Sequence, residues 1–238
     1  MTQHVETEPL VSFVITAKNE EHYIEKCLRS VRDQTYQKIE IIVVDSCSED
    51  RTVEIAENYA DMIVLQDCIM PVGRNIGATH AEGHIFAFVD ADVALKKDWL
   101  EKTLLRLDTN TIAVTGDLFP ENMPKAKNVS LYFLIRLFKS ATHALNYGNI
   151  GIGATVALVL RSAYQKVEGF TNKFTTCEDW DFSMRIKRYG KVVFEPEAKA
   201  TFSTRYFEKY GYLSRLVYWT KNLIDYIFKH KIVAEYKG

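Results

Sequence analysis

Short apolar runs alternate with amphipathic stretches from Leu10 to Asp90. Leu10–Thr16 (LVSFVIT), Ile39–Asp45 (IEIIVVD), Asp61–Gln66 (DMIVLQ) and His84–Asp90 (HIFAFVD) are short and apolar, and each predicts a buried strand. Between the first two, Tyr23, Ile24, Cys27, Leu28 and Val31 recur at helical spacing, with Asn19 as a candidate N-cap. Ser48 is a candidate cap for a second helix in SEDRTVEIAENYA, and GRNIGATHAEG predicts a third that ends at Gly83. Strand and helix in strict succession predict a Rossmann-like α/β fold, a mostly parallel sheet with helices on both faces. Right-handed crossovers bring the C-terminal strand ends to one edge, where ligands of such sheets bind.

The second half is less regular. KKDWLEKTLLRL predicts a helix, TIAVTGDL a strand, and Asn128–Leu145 an apolar helix. NIGIGATVALVL is a glycine-rich turn leading into a strand. EDWDFSMRIKRYG predicts a helix that stops at Gly190, and KVVFEP and AKATFST predict two short strands. Tyr206–Val233 is mostly helical, with Leu213, Leu216, Val217, Leu223, Ile224, Ile227 and Phe228 on one stripe and Arg215, Lys221, Lys229 and Lys231 supplying charge. No repeat or linker divides the chain. The expected organisation is one α/β domain over residues 1–206 and a C-terminal helical extension over 207–238. That tail packs on the domain, serves a homodimer, or meets an anionic membrane surface.

Composition narrows the function classes. The chain has 238 residues, 47% hydrophobic and 26% charged, with a formal net charge of −1, so nucleic acid is not an expected partner. From Arg205 onward there are seven Lys or Arg against three Asp or Glu, a local basic excess. Cys27, Cys47, Cys68 and Cys177 share no metal-ligand spacing, nor do the histidines. The polar, acidic start is no signal peptide, and no apolar run reaches the roughly 20 residues of a membrane span. These features predict a cytoplasmic protein, its membrane contact at most peripheral, at the cytoplasmic face.

The candidate chemistry sits at strand ends. FVDAD ends an apolar run on Asp90 and Asp92, which point to the same side of an extended chain across the small Ala91. Two hard oxygen ligands so placed suit a divalent cation, Mg2+ or Mn2+, shared with phosphate oxygens. VVDSCSEDRT ends the second strand on Asp45 before small polar residues. Arg74 and Asn75 lie at a helix start, where an arginine suits a diphosphate. Glu178 and Asp179 lie at another helix start, which reads either as dipole complementation or as a catalytic carboxylate. The turn GNIGIGA, with Gly151 and Gly153, lets backbone approach a ligand closely.

In this order, TAKNEE, VVDSCSEDRT, GRNIGATHAEG, FVDAD and EDWDFSMRIKRYG, the motifs resemble glycosyltransferase family 2, inverting enzymes of the GT-A fold, over roughly Val11 to Tyr206. The resemblance implies transfer of one sugar from a UDP- or GDP-linked donor to a hydroxyl or phosphate of a glycan or lipid-linked acceptor. It implies Asp45 at the nucleotide base, Ala17, Glu20 and Arg74 lining the nucleotide, and Asp90 and Ala91 near the ribose. It further implies Asp92 as metal ligand to Mn2+ or Mg2+, Asp179 as general base supported by Glu178, and Trp180 with Gly151 and Gly153 on the acceptor side. Two departures stand out. Ser46 and Cys47 replace the usual second Asp and Gly of the second motif, and STRYFEKYG stands where processive members carry Gln-x-x-Arg-Trp. The second departure favours single-sugar transfer over polymer synthesis. The alternatives are a polyprenyl- or dolichyl-phosphate sugar synthase, or a non-catalytic nucleotide-sugar-binding protein on the same fold. A nucleotidyltransferase and a dinucleotide oxidoreductase lack support, because no glycine-rich phosphate loop follows the first strand.

Overall fold

The computed structural model describes residues 8–121, 129–130, 132–133, 136–137, 156–172 and 177–229. Gly151, Gly153 and most of the apolar stretch Asn128–Leu145 lie outside them. The strands are β1 (Val11–Ala17), β2 (Ile39–Asp45), β3 (Met62–Leu65), β4 (Ile85–Asp90), β5 (Val93–Leu95), β6 (Thr111–Pro120), β7 (Val156–Leu160) and β8 (Lys191–Phe202). The helices are α1 (Ile24–Arg32), α2 (Thr52–Ala56), α3 (Met70–His80), α4 (Trp99–Leu104), α5 (Arg161–Lys166), α6 (Glu178–Ile186), α7 (Arg205–Tyr210) and α8 (Tyr212–Lys229).

Among the described residues, eight strands form one sheet in the order β3-β2-β1-β4-β7-β6-β8-β5. β3, β2, β1 and β4 are mutually parallel, and only β7 and β5 run against the rest. The C-terminal ends of β1, β2, β4, β6 and β8 therefore share one edge. Chain order reverses between β1 and β4, the switch point at which such sheets open a crevice.

Strand periodicity explains the two-sided core. Phe13, Ile15, Ile41, Val43, Ala87 and Val89 belong to one buried cluster, while Val14, Ile42, Val44, Phe86 and Phe88 belong to a second. Alternate residues of the same strand serve opposite faces, so both faces need helices. α3 lies especially close to the sheet: a Cβ on Gly77 would stand 2.4 Å from Val14 Cγ1 and 3.2 Å from Val44 Cγ2. Gly77→Ala is expected to destabilise the fold by about 1–3 kcal/mol through overpacking, read as a lowered thermal midpoint.

Several local expectations are corrected. Asn19 does not cap α1. It takes a left-handed φ of 54°, tolerated by asparagine, and its Oδ1 accepts a hydrogen bond from the Glu49 N–H at 2.9 Å. Ser48 does not cap α2, because its N–H and hydroxyl both bind Asp45; the Thr52 N–H is met instead by Asp50 at 3.0 Å. α3 begins earlier and stops sooner than expected, and α6 ends at Ile186, short of Gly190. The expected pair KVVFEP and AKATFST is one strand, β8. Pro196 lacks an N–H, so the ladder to β6 jumps register between Glu195 and Lys199 and then resumes, with the Glu197 N–H donating to Glu195 Oε1 at 2.9 Å. β5, only three residues long, was too short for an apolar pattern to reveal.

Candidate active site

The site is built on adjacent strand ends. Ala17 pairs with Asp45, and Thr16 pairs with Asp90, so β1 carries an aspartate on each side at the common edge. Asp45 is fully buried, and it closes its own loop: Ser48 donates to it from its N–H at 2.7 Å and from its hydroxyl at 2.5 Å. The loops after β1 and β2 are stitched together. The Asn19 N–H donates to Ser48 Oγ at 2.8 Å, the Glu20 N–H to Thr52 Oγ1 at 2.7 Å, and the Glu21 N–H to Asp50 Oδ2 at 3.1 Å. Glu20 and Asp45 thus belong to one rigid rim. Ala17 and Ala91 are buried in that rim, and the Ala17 carbonyl accepts the Ser46 N–H at 2.8 Å.

Arg74 joins this rim to α6. It lies within α3, the fifth residue of a helix that begins at Met70 and not at its start as expected, with 2% of its surface exposed. Its Nη2 donates to Asp90 Oδ1 at 2.9 Å and its Nη1 to Glu178 Oε1 at 3.1 Å, with the Phe170 ring centroid 5.2 Å from the guanidinium carbon. One buried cation therefore compensates two carboxylates from elements far apart in sequence. Burial raises both the Asp90 and Glu178 carboxyls above their usual range, against the opposing pull of Arg74.

α6 starts from Cys177 in a left-handed conformation, φ 61°, which swings Glu178 and Asp179 into the first turn. There the free N–H groups and the helix dipole favour negative charge. Asp179 Oδ1 accepts the Trp180 N–H at 2.8 Å. Burial, then the neighbouring Glu178 charge, hold the Asp179 carboxyl well above the ordinary carboxylate range, with Arg74 opposing and Asp90 adding to the rise. A carboxylate raised in this way is a better proton acceptor for a hydroxyl than an ordinary aspartate. Trp180 is itself 5% exposed, so its ring packs into the body.

On the other side of Asp90, Asp92 is only partly covered. Burial, then the Asp90 charge, push its carboxyl up to about 7. Its Oδ2 lies 3.7 Å from Arg205 Nη2, and the same guanidinium hydrogen-bonds Glu20. The other Glu20 oxygen, Oε2, is buried without a hydrogen-bond partner. Among the described residues no three His, Cys, Asp or Glu side chains gather to hold a metal by themselves. Asp92, with an orphaned carboxylate oxygen nearby, nevertheless suits a hard divalent cation whose remaining ligands are phosphate oxygens and water.

The structure therefore brings Glu20, Arg74, Asp90, Asp92, Glu178 and Asp179 to one edge, with Asp45 at its flank. Arg205 was not foreseen. STRYFEKYG departs from Gln-x-x-Arg-Trp but keeps an arginine followed by an aromatic residue, Arg205-Tyr206, and the register Val93 to Phe202, with the Ser203 N–H on the Asp92 carbonyl at 3.1 Å, delivers it to the site.

Comparisons with known proteins agree with this architecture. Residues 12–168 match the family model described as Glycosyl transferase family 2. The glycosyltransferase AglE of Haloferax volcanii is 37% identical over 119 residues, 46% of this chain and 38% of AglE. Among solved structures, the mannosyltransferase PcManGT of Pyrobaculum calidifontis, in complex with GDP-Man and Mn2+, superposes with a TM-score of 0.72 at 20% identity, covering 97% of this chain and 66% of that one. S. aureus TarS in complex with UDP-GlcNAc superposes with a TM-score of 0.63 at 18% identity, covering 81% and 58%. The chain thus spans less than two thirds of AglE and of the TarS chain. With the fold shared and the family model matched over most of its length, the chain belongs to glycosyl transferase family 2.

Proposed function

We propose that this protein is an inverting glycosyltransferase that moves one sugar from a UDP- or GDP-linked donor to an acceptor hydroxyl or phosphate. The observation that carries this reading is the Arg74 bridge, which ties the Asp-x-Asp end of β4 to the Glu-Asp start of α6. Asp179 takes the proton of the acceptor as its oxygen attacks the anomeric carbon. The bond from that carbon to the diphosphate breaks, its electron pair leaves with the nucleoside diphosphate, and configuration inverts. Arg74 and Glu178 fix the base relative to Asp90. The residues fit Mn2+ or Mg2+ held by Asp92 together with the diphosphate; when bound, such a cation neutralises charge on the leaving group as a Lewis acid. A thermal-shift panel of nucleoside diphosphates with and without Mn2+ tests the reading. A nucleotide bound at one hundred times its Kd adds about 2.7 kcal/mol to stability. A metal-dependent rise in midpoint with UDP or GDP is expected, and no rise with any nucleotide counts against it.

A lipid-linked acceptor, transfer then occurring at a membrane surface, is favoured by one topological observation. β6 and β8 leave the sheet side by side, Pro120 opposite Phe202, at the edge that bears the carboxylates. The segments that follow carry exposed apolar residues: Val129, Phe133 and Leu137 at four-residue spacing, then Val217 and Ile224 on α8. Among the described residues no helix is long and apolar enough to cross a membrane, so contact would be peripheral. Co-sedimentation with anionic phospholipid vesicles at low salt is expected, weakening as salt rises; none at low salt removes this acceptor class.

A further inference from the structure

Asn75 follows Arg74 in α3 but bonds to a different segment. Both ends of its amide are engaged. Nδ2 donates to the Phe170 carbonyl at 2.7 Å, while Oδ1 accepts the Phe170 N–H at 2.9 Å and the Tyr164 hydroxyl at 2.6 Å. One side chain thus clamps both backbone groups of a residue 95 positions away in sequence. The clamp closes on a tight turn. Glu168 and Gly169 both take left-handed φ, 57° and 71°, and a Cβ on Gly169 would stand 2.6 Å from Asn75 Oδ1. From the other side, Arg185 of α6 donates from Nη1 to the Val167 carbonyl at 2.6 Å and to the Gly169 carbonyl at 2.7 Å. The turn is therefore held by α3 on one side and by α6 on the other.

What the clamp holds is Phe170. Its ring is buried, with the Arg74 guanidinium carbon 5.2 Å from its centroid. The same ring stacks on Phe182, centroids 4.2 Å and planes 23° apart. Phe182 is itself buried, about one turn beyond Asp179 on α6. The ring thus sits between the cation that compensates the site's carboxylates and the helix that carries the base. In a close-packed interior, a shift of that ring is passed on to both neighbours.

We propose that Asn75 is a positioning residue: by fixing the Glu168–Phe170 turn it holds the Phe170 ring between Arg74 and Phe182, and so sets where Asp179 stands relative to the Asp90 edge. The proposal rests on the transferase reading above and deepens it. Asn75 itself touches neither donor nor acceptor. Asp179 is flanked by Cys177 and Glu178 on its own segment, by Arg74 of α3 and by Asp90 of β4. Of the charged groups among these, only Arg74 draws its carboxyl down, so a guanidinium no longer held in place lets that carboxyl rise further.

Turnover of a panel of UDP- and GDP-linked sugars that includes UDP-GlcNAc and GDP-Man, with Mn2+ present and water as the acceptor, tests it across pH in wild type and Asn75→Ala. Calorimetry gives the affinity for UDP and GDP in parallel. In the variant, kcat at neutral pH is expected to fall about 10- to 100-fold, the scale of a misplacement of about 1 Å. The nucleoside diphosphate Kd is expected to stay within about twofold of wild type. The acidic limb of the kcat profile is expected to move to higher pH. A merely structural asparagine would lower the thermal midpoint while leaving kcat per folded molecule and the acidic limb in place, and that result overturns the proposal. A loss of nucleotide affinity as large as the loss of kcat overturns it too, because the residue would then act on the donor. Should Asn75→Ala fail to fold by circular dichroism, Phe170→Leu keeps the backbone clamp and a buried apolar side chain but removes the ring. The same fall in kcat and the same shift of the limb are expected there, and unchanged turnover in it overturns the proposal. If the wild type turns over none of the panel, the transferase reading fails and takes this inference with it; wild-type turnover matched by the variant removes the inference alone.

Discussion

Asp179→Asn is expected to lower turnover by about 10²- to 10⁴-fold, the usual worth of a positioned general base, while leaving donor affinity unchanged. The amide keeps the shape of the carboxylate and its contact with the Trp180 N–H, but it cannot take a proton. The variant should be at least as stable as the wild type at neutral pH. A carboxyl raised by burial and by Glu178 is held protonated more strongly in the folded state than in the unfolded chain, so the charged form costs stability as pH rises through the folded value. A neutral side chain removes that cost. The same shift fixes the pH profile of the wild type: transfer needs the deprotonated base, so the acidic limb should lie above the ordinary carboxylate range. Single-turnover kinetics with calorimetric donor binding separates the effects. Near-normal turnover in the asparagine variant would remove Asp179 from the role.

Arg74→Met is expected to be the most damaging change to stability, at about 3–5 kcal/mol, because it leaves buried carboxylates without their cation. Methionine fills similar volume, so the loss is electrostatic. Asp90 and Glu178 are raised by burial even with Arg74 present, and without it they rise further. The sign follows: the penalty is small where both are protonated and grows as pH rises through their folded values. Thermal midpoints of variant and wild type should therefore converge at low pH and diverge toward neutrality. A pH-independent difference would mean that Arg74 acts through packing against Phe170 instead of through charge.

Much of the frame was legible in the sequence because strands buried on both faces leave continuous apolar runs, and their ends are marked where polarity returns. Asp45 and Asp90 fall at such ends, and the alternation within β1, β2 and β4 explains both cores. What was not legible depends on pairing. Arg74 and Glu178 are 104 positions apart, and nothing local in GRNIG announces that its arginine will be buried between two acids. Arg205 reaches Asp92 only because β5 pairs with β8, and β5 is too short to betray itself. Pro196 looked like a break because a proline cannot donate to a ladder; the strand absorbs it as a register shift. Asn19 and Ser48 looked like caps because their side chains compete well for backbone N–H groups, and they do so here between loops.

A single displacement, with the base on the face opposite the leaving diphosphate, predicts inverted configuration in the product. The most direct measurement is proton NMR of the anomeric signal during turnover of an α-linked nucleotide sugar. The first product formed should carry the β configuration before any equilibration. A product first seen as the α anomer would contradict a single displacement with Asp179 as its base.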